Sequence, residues 1–410
     1  MDHSLTGTLR MPARVHFGYG TRAQIPQLLA LHGTRVLAVV DPFLTSTAIF
    51  MELLSQLEAA GLTVQVHSDI TPELPVATLD AAGDVARAFQ PDAILAVGGG
   101  SALDAAKLIA LLAAHGGPLS SYYGENAVPG PVVPIVAVPT TAGTGSEVTP
   151  VAVVSDPDRE LKVGISSPYL VPVAAVVDPE FTLGAPASVT AFSGIDALVH
   201  LVESYTATSL TLDWSATAPV FTGRNLFSAL IALNGIERLG RWLPIAVAEP
   251  AHRRAHEEVA FAAMLGGMSF GPTGTHLSHA LQYPIGAITK TPHGLGTGLM
   301  LPYVMDAIRV DDDVTDRLGA VGSALGSDAT SAQGRADDAI SAVVELNRAI
   351  GVPPSLAAIG IDAAQLPQIA ELGLASGRLV GIAPLPVTRD VLLDILTRAH
   401  EGTLTERIMA

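Results

Sequence analysis

Short apolar runs alternate with longer segments of helical spacing over the first 186 residues. The apolar runs predict strands and the longer segments predict helices. In chain order, the predicted strands are 34–41, 62–67, 93–97 and 132–138, and the predicted helices are 44–60, 79–89 and 101–114. Strands that are apolar throughout and separated by helices are typical of a parallel sheet covered on both faces. Ligands of such sheets bind at the carboxyl ends of the strands.

The predicted secondary structure changes after residue 186, where segments with a strand pattern become rare. Before that point, segments 148–155 and 160–165 flank the turn sequence Asp156-Pro157-Asp158 and predict a hairpin. After it, helices are predicted at 190–205, 225–242, 251–268, 336–350 and 389–400. We therefore expect an α/β domain over 1–186 and an all-α domain over 187–410. The irregular stretch 209–224 is expected to be a surface loop.

Composition excludes several classes of protein. The 410 residues include 22 Lys and Arg against 39 Asp and Glu, a net charge of −17, which disfavours binding to nucleic acid or to an anionic membrane. There is no cysteine, so disulfides and thiolate metal sites are excluded. The apolar stretches are shorter than the ~20 residues of a membrane span, and no signal peptide is evident. We expect a cytoplasmic protein.

Three consecutive glycines mark the first candidate binding loop, between the predicted strand 93–97 and the predicted helix 101–114. Glycine lets backbone N–H groups approach a phosphate closely, and a helix N-terminus adds free donors and partial positive charge. The candidate cofactor residues here are Gly98, Gly99, Gly100, Ser101 and Asp104. The alternative is a tight strand–helix turn, with Ser101 as the N-cap and Asp104 as its capping partner.

A second loop, rich in hydroxyl groups, follows the predicted strand 132–138. Its candidate residues are Thr140, Thr141, Thr144 and Ser146. Hydroxyls and bare amides at one edge of a sheet suit a ribose and a diphosphate, so the two loops together predict a dinucleotide site. Asp41 ends the first clear strand, where an acid can accept hydrogen bonds from a ribose and repel a 2′-phosphate. This favours NAD over NADP, although Asp41 could instead be a turn or cap residue.

Four residues form a candidate metal site. Asp196 and His200 are four apart on a predicted helix, so their side chains project from one face. With His279 and His293 they make a set of nitrogen and oxygen donors that accepts Fe(II) or Zn(II). Each histidine could instead be an ordinary hydrogen-bonded residue of the core or surface.

Taken together, these motifs resemble the iron-containing (group III) alcohol dehydrogenase family over nearly the whole chain. The matching segments are 17–20, 98–107, 139–147, 178–179, 196–203, 279 and 292–294. The resemblance implies an N-terminal dinucleotide-binding α/β domain and an all-α C-terminal domain, in a dehydroquinate synthase-like architecture. It implies hydride transfer between NAD(H) and a small substrate, which is either an alcohol or aldehyde or else a hydroxy acid or oxo acid.

The resemblance also implies roles for individual residues. The positions of Asp196, His200, His279 and His293 would bind one Fe(II) or Zn(II), and the two loops would hold NAD(P). Lys162 would lie near the cofactor ribose. Homodimers or larger assemblies are usual in the family.

The chain departs from the family pattern in three places. Many relatives have a histidine near the substrate, suspected in proton relay, where this chain has Tyr283. Tyr283 could donate a proton through its phenol or shape the pocket. Tyr283 and His279 are the two candidate catalytic residues. Pro72-Glu73-Leu74-Pro75 replaces a common Pro-Asn-Pro, and the stretch 209–224 looks longer than usual.

Two other functions remain open at this stage. One is a dehydroquinate synthase-like lyase that uses bound NAD and a metal; the other is a catalytically silent metal-binding protein. The lyase needs several basic residues for a phosphorylated substrate. Between residues 190 and 302 the basic residues are mainly Arg224, Arg238, Arg241, Arg253, Arg254 and Lys290.

Overall fold

The computed structural model describes residues 6–71, 73–159 and 162–405, which divide into two compact units. The first, here called the sheet unit, comprises Leu9–Ala185 and Trp214–Val220. The second, the helical unit, comprises Pro186–Asp213 and the described residues from Phe221 onward, with those before Leu9. No helix among the described residues is long and apolar enough to cross a membrane.

The sheet unit contains all the named strands of the described chain. They are β1 (Arg14–Phe17), β2 (Arg35–Val40), β3 (Thr63–His67), β4 (Ala93–Gly98), β5 (Gly124–Glu125), β6 (Ile135–Pro139), β7 (Val151–Val154), β8 (Val163–Ser166) and β9 (Ala174–Val177). Its helices are α1 (Ile25–Ala30), α2 (Ala48–Ala59), α3 (Val76–Phe89) and α4 (Gly100–His115). The main sheet is parallel throughout, in the order β1-β9-β6-β4-β2-β3.

Alternate residues of the central strands face opposite sides of this sheet. On β2, Val36, Ala38 and Val40 pack into one core with residues of α1 and α2, while Leu37 and Val39 pack into another with residues of α3 and α4. All five side chains are at most 1% exposed. A strand buried on both faces must be apolar at every position, which is why β2 and β4 are predictable as continuous apolar runs.

The order of the strands reverses at β2, which lies between β3 and β4. The chain runs from β2 outward to β3 and then returns to the other side of β2 to form β4. In open parallel sheets such a switch point opens a crevice at the carboxyl ends of the strands. Here the residues at those ends are Asp41 after β2 and Gly98 at the end of β4.

A smaller sheet of β5, β8 and β7 carries the predicted hairpin. β7 pairs antiparallel with β8 from Val151↔Ser166 to Val154↔Val163, which confirms that prediction. Two residues assigned to its second strand, 160 and 161, lie outside the described residues. The expected strand at 132–138 begins three residues later, at Ile135.

The helical unit supplies the remaining helices. They are α5 (Ala187–Thr206), α6 (Leu226–Ala248), α7 (Arg253–Thr273), α8 (Leu277–Thr289), α9 (His293–Ala307), α10 (Asp312–Ala324), α11 (Ala332–Ala349), α12 (Leu366–Ala375), α13 (Gly377–Val380) and α14 (Arg389–Glu401). Helix α6 continues through Pro244 and α7 through Pro272, beyond the ends predicted for them.

The stretch 209–224 is irregular, as predicted, but it is not wholly a surface loop. Val220, Phe221 and Thr222 are at most 4% exposed, and the Arg10 guanidinium donates to the Val220 carbonyl at 2.8 Å. The Thr222 amide donates to the Pro272 carbonyl at 2.7 Å. The surface expectation is therefore wrong for the end of the stretch, which is buried and held by these two hydrogen bonds.

Candidate functional site

Three helices of the helical unit bring the four predicted metal-binding residues together. Asp196 and His200 lie one turn apart on α5, His279 lies near the start of α8, and His293 is the first residue of α9. Asp196, His200 and His279 are 3–5% exposed, so three of the four are buried.

The donor atoms of Asp196, His279 and His293 surround a common point, while His200 faces the other oxygen of the Asp196 carboxylate. Asp196 Oδ1 is 3.8 Å from His279 Nε2 and 3.7 Å from His293 Nε2, and Asp196 Oδ2 is 3.8 Å from His200 Nε2. One donor atom from each of Asp196, His279 and His293 lies within 4.8 Å of the others. These distances are too long for hydrogen bonds. They suit donors that share one ion at about 2 Å from each.

Buried neighbours orient the donors. His279 Nδ1 and Glu203 Oε2 are 2.7 Å apart, and His293 Nδ1 and Gln282 Oε1 are also 2.7 Å apart. Each oxygen accepts the Nδ1 proton, which leaves the Nε2 lone pair of that histidine directed at the common point. The Thr297 hydroxyl donates to Asp196 Oδ1 at 2.7 Å.

These orienting residues were not predicted, although their spacing holds a signal. Glu203 is seven residues after Asp196, Gln282 is three after His279, and Thr297 is four after His293. Spacings of three, four and seven keep residues on one helix face.

One orphaned atom tests whether the residues fit a metal ion. His279 Nε2 is buried and has no hydrogen-bond partner among the described residues. Buried polar atoms are normally paired, so such an atom needs an explanation. A divalent cation bound by this nitrogen and by the Asp196 carboxylate supplies one, and the donor set therefore fits the ion.

The electrostatics of the cluster are those of a cation site. Burial acts to raise the pKa of Asp196, but the neighbouring histidines and the Thr297 hydroxyl outweigh it and lower that pKa. Burial also acts to raise the pKa of Glu203, yet the charges of His276 and His279, with hydrogen bonds from both, lower it to about 2. Both buried carboxylates are ionised at neutral pH.

Aromatic rings close two sides of the cluster. The Phe270 ring stacks on His200, with centroids 4.3 Å apart. Tyr283 lies one helical turn after His279, and its ring stacks on His293 with centroids 6.1 Å apart and an angle of 25°. The structure thus places the candidate catalytic tyrosine against a metal-binding candidate.

In the sheet unit, the two predicted cofactor loops are in contact. A Cβ added to Gly100 would lie 2.6 Å from Thr144 Cγ2, and one added to Gly99 would lie 3.3 Å from Thr141 Cγ2. The Thr140 amide donates to the Gly98 carbonyl at 3.0 Å. These positions need glycine because the second loop packs directly on the backbone of the first.

Asp104 and Ser146 join the loops through their side chains. The Ser146 hydroxyl donates to Asp104 Oδ1 at 2.6 Å, and the Val153 amide donates to Asp104 Oδ2 at 3.0 Å. Asp104 therefore does not cap α4. The proposed cap at Ser101 is also wrong: the N-cap is Gly99, no side chain caps it, and Ser101 is an exposed residue inside the helix.

Asp41 lies beside the glycine turn, where it caps a 3-10 turn. Its Oδ1 accepts a hydrogen bond from the Phe43 amide at 3.0 Å. A Cβ added to Gly98 would lie 3.0 Å from the Cβ of Asp41. Asp41 is thus a cap residue, and its contact with a ribose stays a prediction. Lys162, the remaining cofactor candidate, forms an ion pair with Glu73, with Nζ and Oε2 2.6 Å apart.

The basic residues of the helical unit are committed to local contacts. Arg238 and Arg254 both pair with Glu258, while the guanidinium groups of Arg224 and Arg241 lie over the rings of Tyr205 and Trp242. Four of the six basic residues named for this region therefore have local partners.

Comparison with known proteins identifies the family. The family model described as iron-containing alcohol dehydrogenase matches residues 12–179, and the C-terminal model of the same family matches residues 190–400. Long-chain-alcohol dehydrogenase 1 of Geobacillus thermodenitrificans is 33% identical over 402 residues, which cover 96% of this chain and 97% of that protein. NAD-dependent methanol dehydrogenase of Bacillus methanolicus is 33% identical over 82% of this chain and 84% of its own.

A solved structure gives the same result for the fold. The crystal structure of a 1,3-propanediol oxidoreductase superposes with a TM-score of 0.89 and 29% identity, and covers 96% of this chain and 100% of that one. The predicted α/β and all-α architecture is confirmed, as is the predicted oxidoreductase activity, while the lyase and silent-protein alternatives gain no support. The chain belongs to the iron-containing alcohol dehydrogenase family and is an alcohol dehydrogenase.

Proposed function

We propose that the chain exchanges hydride between NAD(H) and a small alcohol or aldehyde at a metal site formed by Asp196, His200, His279 and His293. The observation that carries this proposal is the convergence of three imidazole Nε2 atoms on one buried carboxylate, at 3.7–3.8 Å. A divalent ion bound there supplies Lewis acidity toward an alcohol or carbonyl oxygen. The family favours Fe(II), and the same donors accept Zn(II).

The chain's own residues prepare this site. Glu203 and Gln282 fix the tautomers of His279 and His293, so both rings present Nε2 without rearrangement. The stacked Tyr283 ring forms a wall beside His293, and its phenol is the candidate group for moving a proton at the substrate oxygen. We favour the wall as its main role.

NAD(H) binding is proposed for the carboxyl ends of β2, β4 and β6. The glycine turn at 98–100 offers backbone amides at the start of α4, and the hydroxyl loop packs against it. The carboxylate of Asp41 disfavours a 2′-phosphate, which supports NAD rather than NADP. One relative is described as NAD-dependent, in agreement with this preference.

We further infer a cytoplasmic homodimer or larger homo-oligomer, with the cofactor domain ending and the metal- and substrate-binding domain beginning near residue 187. The support is the resemblance to the family. Light scattering of the purified protein measures the oligomeric state, and a single-chain mass would refute the inferred assembly.

The proposal is tested by removing and restoring the metal. The protein is stripped with a chelator and reloaded separately with Fe(II), under anaerobic conditions, or with Zn(II). NADH absorbance is then followed with a panel of short alcohols, aldehydes and hydroxy acids. Metal-dependent turnover supports the proposal and ranks the substrates. Turnover that persists in ion-free protein would refute the metal role, and NADH binding without turnover on any substrate would refute the proposed substrate class.

A further inference from the structure

The ion pair between Glu73 and Lys162 lies beside the proposed cofactor loops. We propose that Glu73 competes with the bound nucleotide for Lys162, and thereby weakens the binding of NAD(H) and speeds its release. This inference rests on the proposed binding of NAD(H) to the sheet unit. It assigns to Glu73 the role of setting cofactor affinity.

Lys162 is held close to the start of α4. It immediately precedes β8, which pairs with β7, and β7 is fixed to α4 by the hydrogen bond from the Val153 amide to Asp104. Burial raises the pKa of Asp104, while the positive charges of Lys107 and Lys162 act to lower it. The ammonium group of Lys162 therefore acts electrostatically on Asp104, the fifth residue of the helix that follows the glycine turn.

Two contacts fix the backbone that presents Glu73. The loop between β3 and α3 is held to Ser155, whose amide donates to the Leu74 carbonyl at 3.0 Å and whose carbonyl accepts the Val76 amide at 3.1 Å. Glu73 and Leu74 have φ of 72° and 51°, in the region that favours glycine. The surrounding structure thus maintains an unfavourable backbone conformation at the residue that reaches Lys162.

The ion pair is open to solvent and exchangeable. The side chains of Lys162 and Glu73 are 30% and 63% exposed, so water and salt screen their attraction. In contrast, the neighbouring Lys107 is 1% exposed and donates to the Thr149 hydroxyl and the Val151 carbonyl, which ties its ammonium group to the protein. Of these two lysines, Lys162 is the one whose charge a ligand can take over.

The sign of the effect follows from charge. A nucleotide diphosphate is an anion, so Lys162 attracts it, and a carboxylate 2.6 Å from that lysine offsets the attraction. Lys162 must leave Glu73 before it can pair with the nucleotide. Removing the carboxylate therefore frees Lys162 and should tighten binding about three- to tenfold, a modest gain because the pair is exposed.

Equilibrium titration of NADH fluorescence tests the inference without turnover. The proteins are wild type, Glu73→Gln, Lys162→Gln and the double variant, with the exposed Glu58→Gln on α2 as a matched charge control. We expect Glu73→Gln to bind NADH about three- to tenfold more tightly, Lys162→Gln to bind more weakly, and Glu58→Gln to match wild type. In the Lys162→Gln background, adding Glu73→Gln should change the affinity less than about twofold.

Three results would overturn the inference. Saturable NADH binding with equal or lower affinity in Glu73→Gln refutes it and leaves the proposed cofactor intact. A gain of equal size in the Lys162→Gln background shows that Glu73 acts without Lys162. Failure of wild type to bind NADH refutes the proposed cofactor itself, and the inference with it. Thermal unfolding of each variant separates these results from misfolding, since a correctly folded variant should unfold as wild type does. Glu73→Ala serves as a second substitution at the same position.

Discussion

The two candidate binding regions of this molecule are built on different physical principles. In the helical unit, the chemistry is carried by side chains. Asp196, His279 and His293 are each held in place by a buried partner of their own. In the sheet unit, backbone amides carry a larger share of the chemistry, and glycine keeps two loops in contact. The first region is therefore damaged by removing functional atoms, and the second by adding inert ones.

The largest effect should come from removing a donor of the helical unit. We expect His279→Ala to lose bound metal and to lower turnover by more than about 100-fold, because an uncompensated donor position cannot hold the ion. Elemental analysis and NADH oxidation measure both quantities in one sample. His32→Ala, in the sheet unit, should leave both unchanged. Full activity in metal-free His279→Ala would refute the role of the cluster.

Removing an orienting residue should have a smaller effect than removing a donor. Glu203→Gln keeps the shape but loses the charge that binds the His279 Nδ1 proton, so metal affinity should fall about 10- to 100-fold. Competition with a chelator measures this affinity. Glu345→Gln, an exposed change on α11, is the control. Unchanged metal affinity in Glu203→Gln would show that His279 does not need its partner.

Adding atoms should break the sheet unit. In Gly100→Val the new Cβ would lie 2.6 Å from Thr144 Cγ2, so the loops must separate and NADH affinity should fall at least about tenfold. Gly184→Val is the matched control, because nothing lies within 4 Å of its added Cβ. Isothermal titration with NADH measures both variants. Wild-type affinity in Gly100→Val would contradict the tight packing of the loops.

The sheet unit also contains a buried carboxyl group near the loops. Burial raises the pKa of Glu147 from 4.5 to about 7, with the charge of Lys107 acting in the opposite direction. A raised pKa stabilises the folded state below pH 4.5, and this contribution is lost as pH rises through 7. When the pH rises from 5 to 8, the free energy of unfolding of wild type should therefore fall by about 1–3 kcal/mol relative to that of Glu147→Gln. Urea unfolding at both pH values measures the difference, and equal slopes with pH would contradict it.

The smallest effect is expected at Tyr283. If the stacked ring is mainly a wall, Tyr283→Phe should change kcat less than about threefold and leave its pH profile in place. A fall of tenfold or more with a shifted pH profile would instead assign the phenol to proton transfer.

Buried, regular elements were the ones that could be predicted from the sequence. β2 and β4 are apolar at nearly every position, and their core location leaves few other conformations. β1 and β9 have only four residues each, too short for a periodic signal. Helices α8 and α9 contain Pro284 and Pro302, which argue against helix locally, and their buried apolar faces override that preference.

The candidate site shows the same limit. The four metal-binding candidates were predicted from donor chemistry and family motifs, and the structure brings all four together. The Glu73–Lys162 pair joins positions 89 residues apart in sequence (162 − 73), and no local pattern indicates that contact. Asp104 was predicted as a cofactor contact, but its hydrogen bonds to Ser146 and Val153 depend on the folded arrangement of the loops.

We propose that the cluster around Asp196 holds the ion on which hydride transfer depends. The most direct test titrates stripped protein with Fe(II) under anaerobic conditions, while bound metal and NADH turnover are measured together. We expect one tightly bound ion per chain, with turnover that rises in proportion to occupancy and is absent from Asp196→Ala. Turnover before any ion binds, or equal occupancy and turnover in Asp196→Ala, would contradict the proposal.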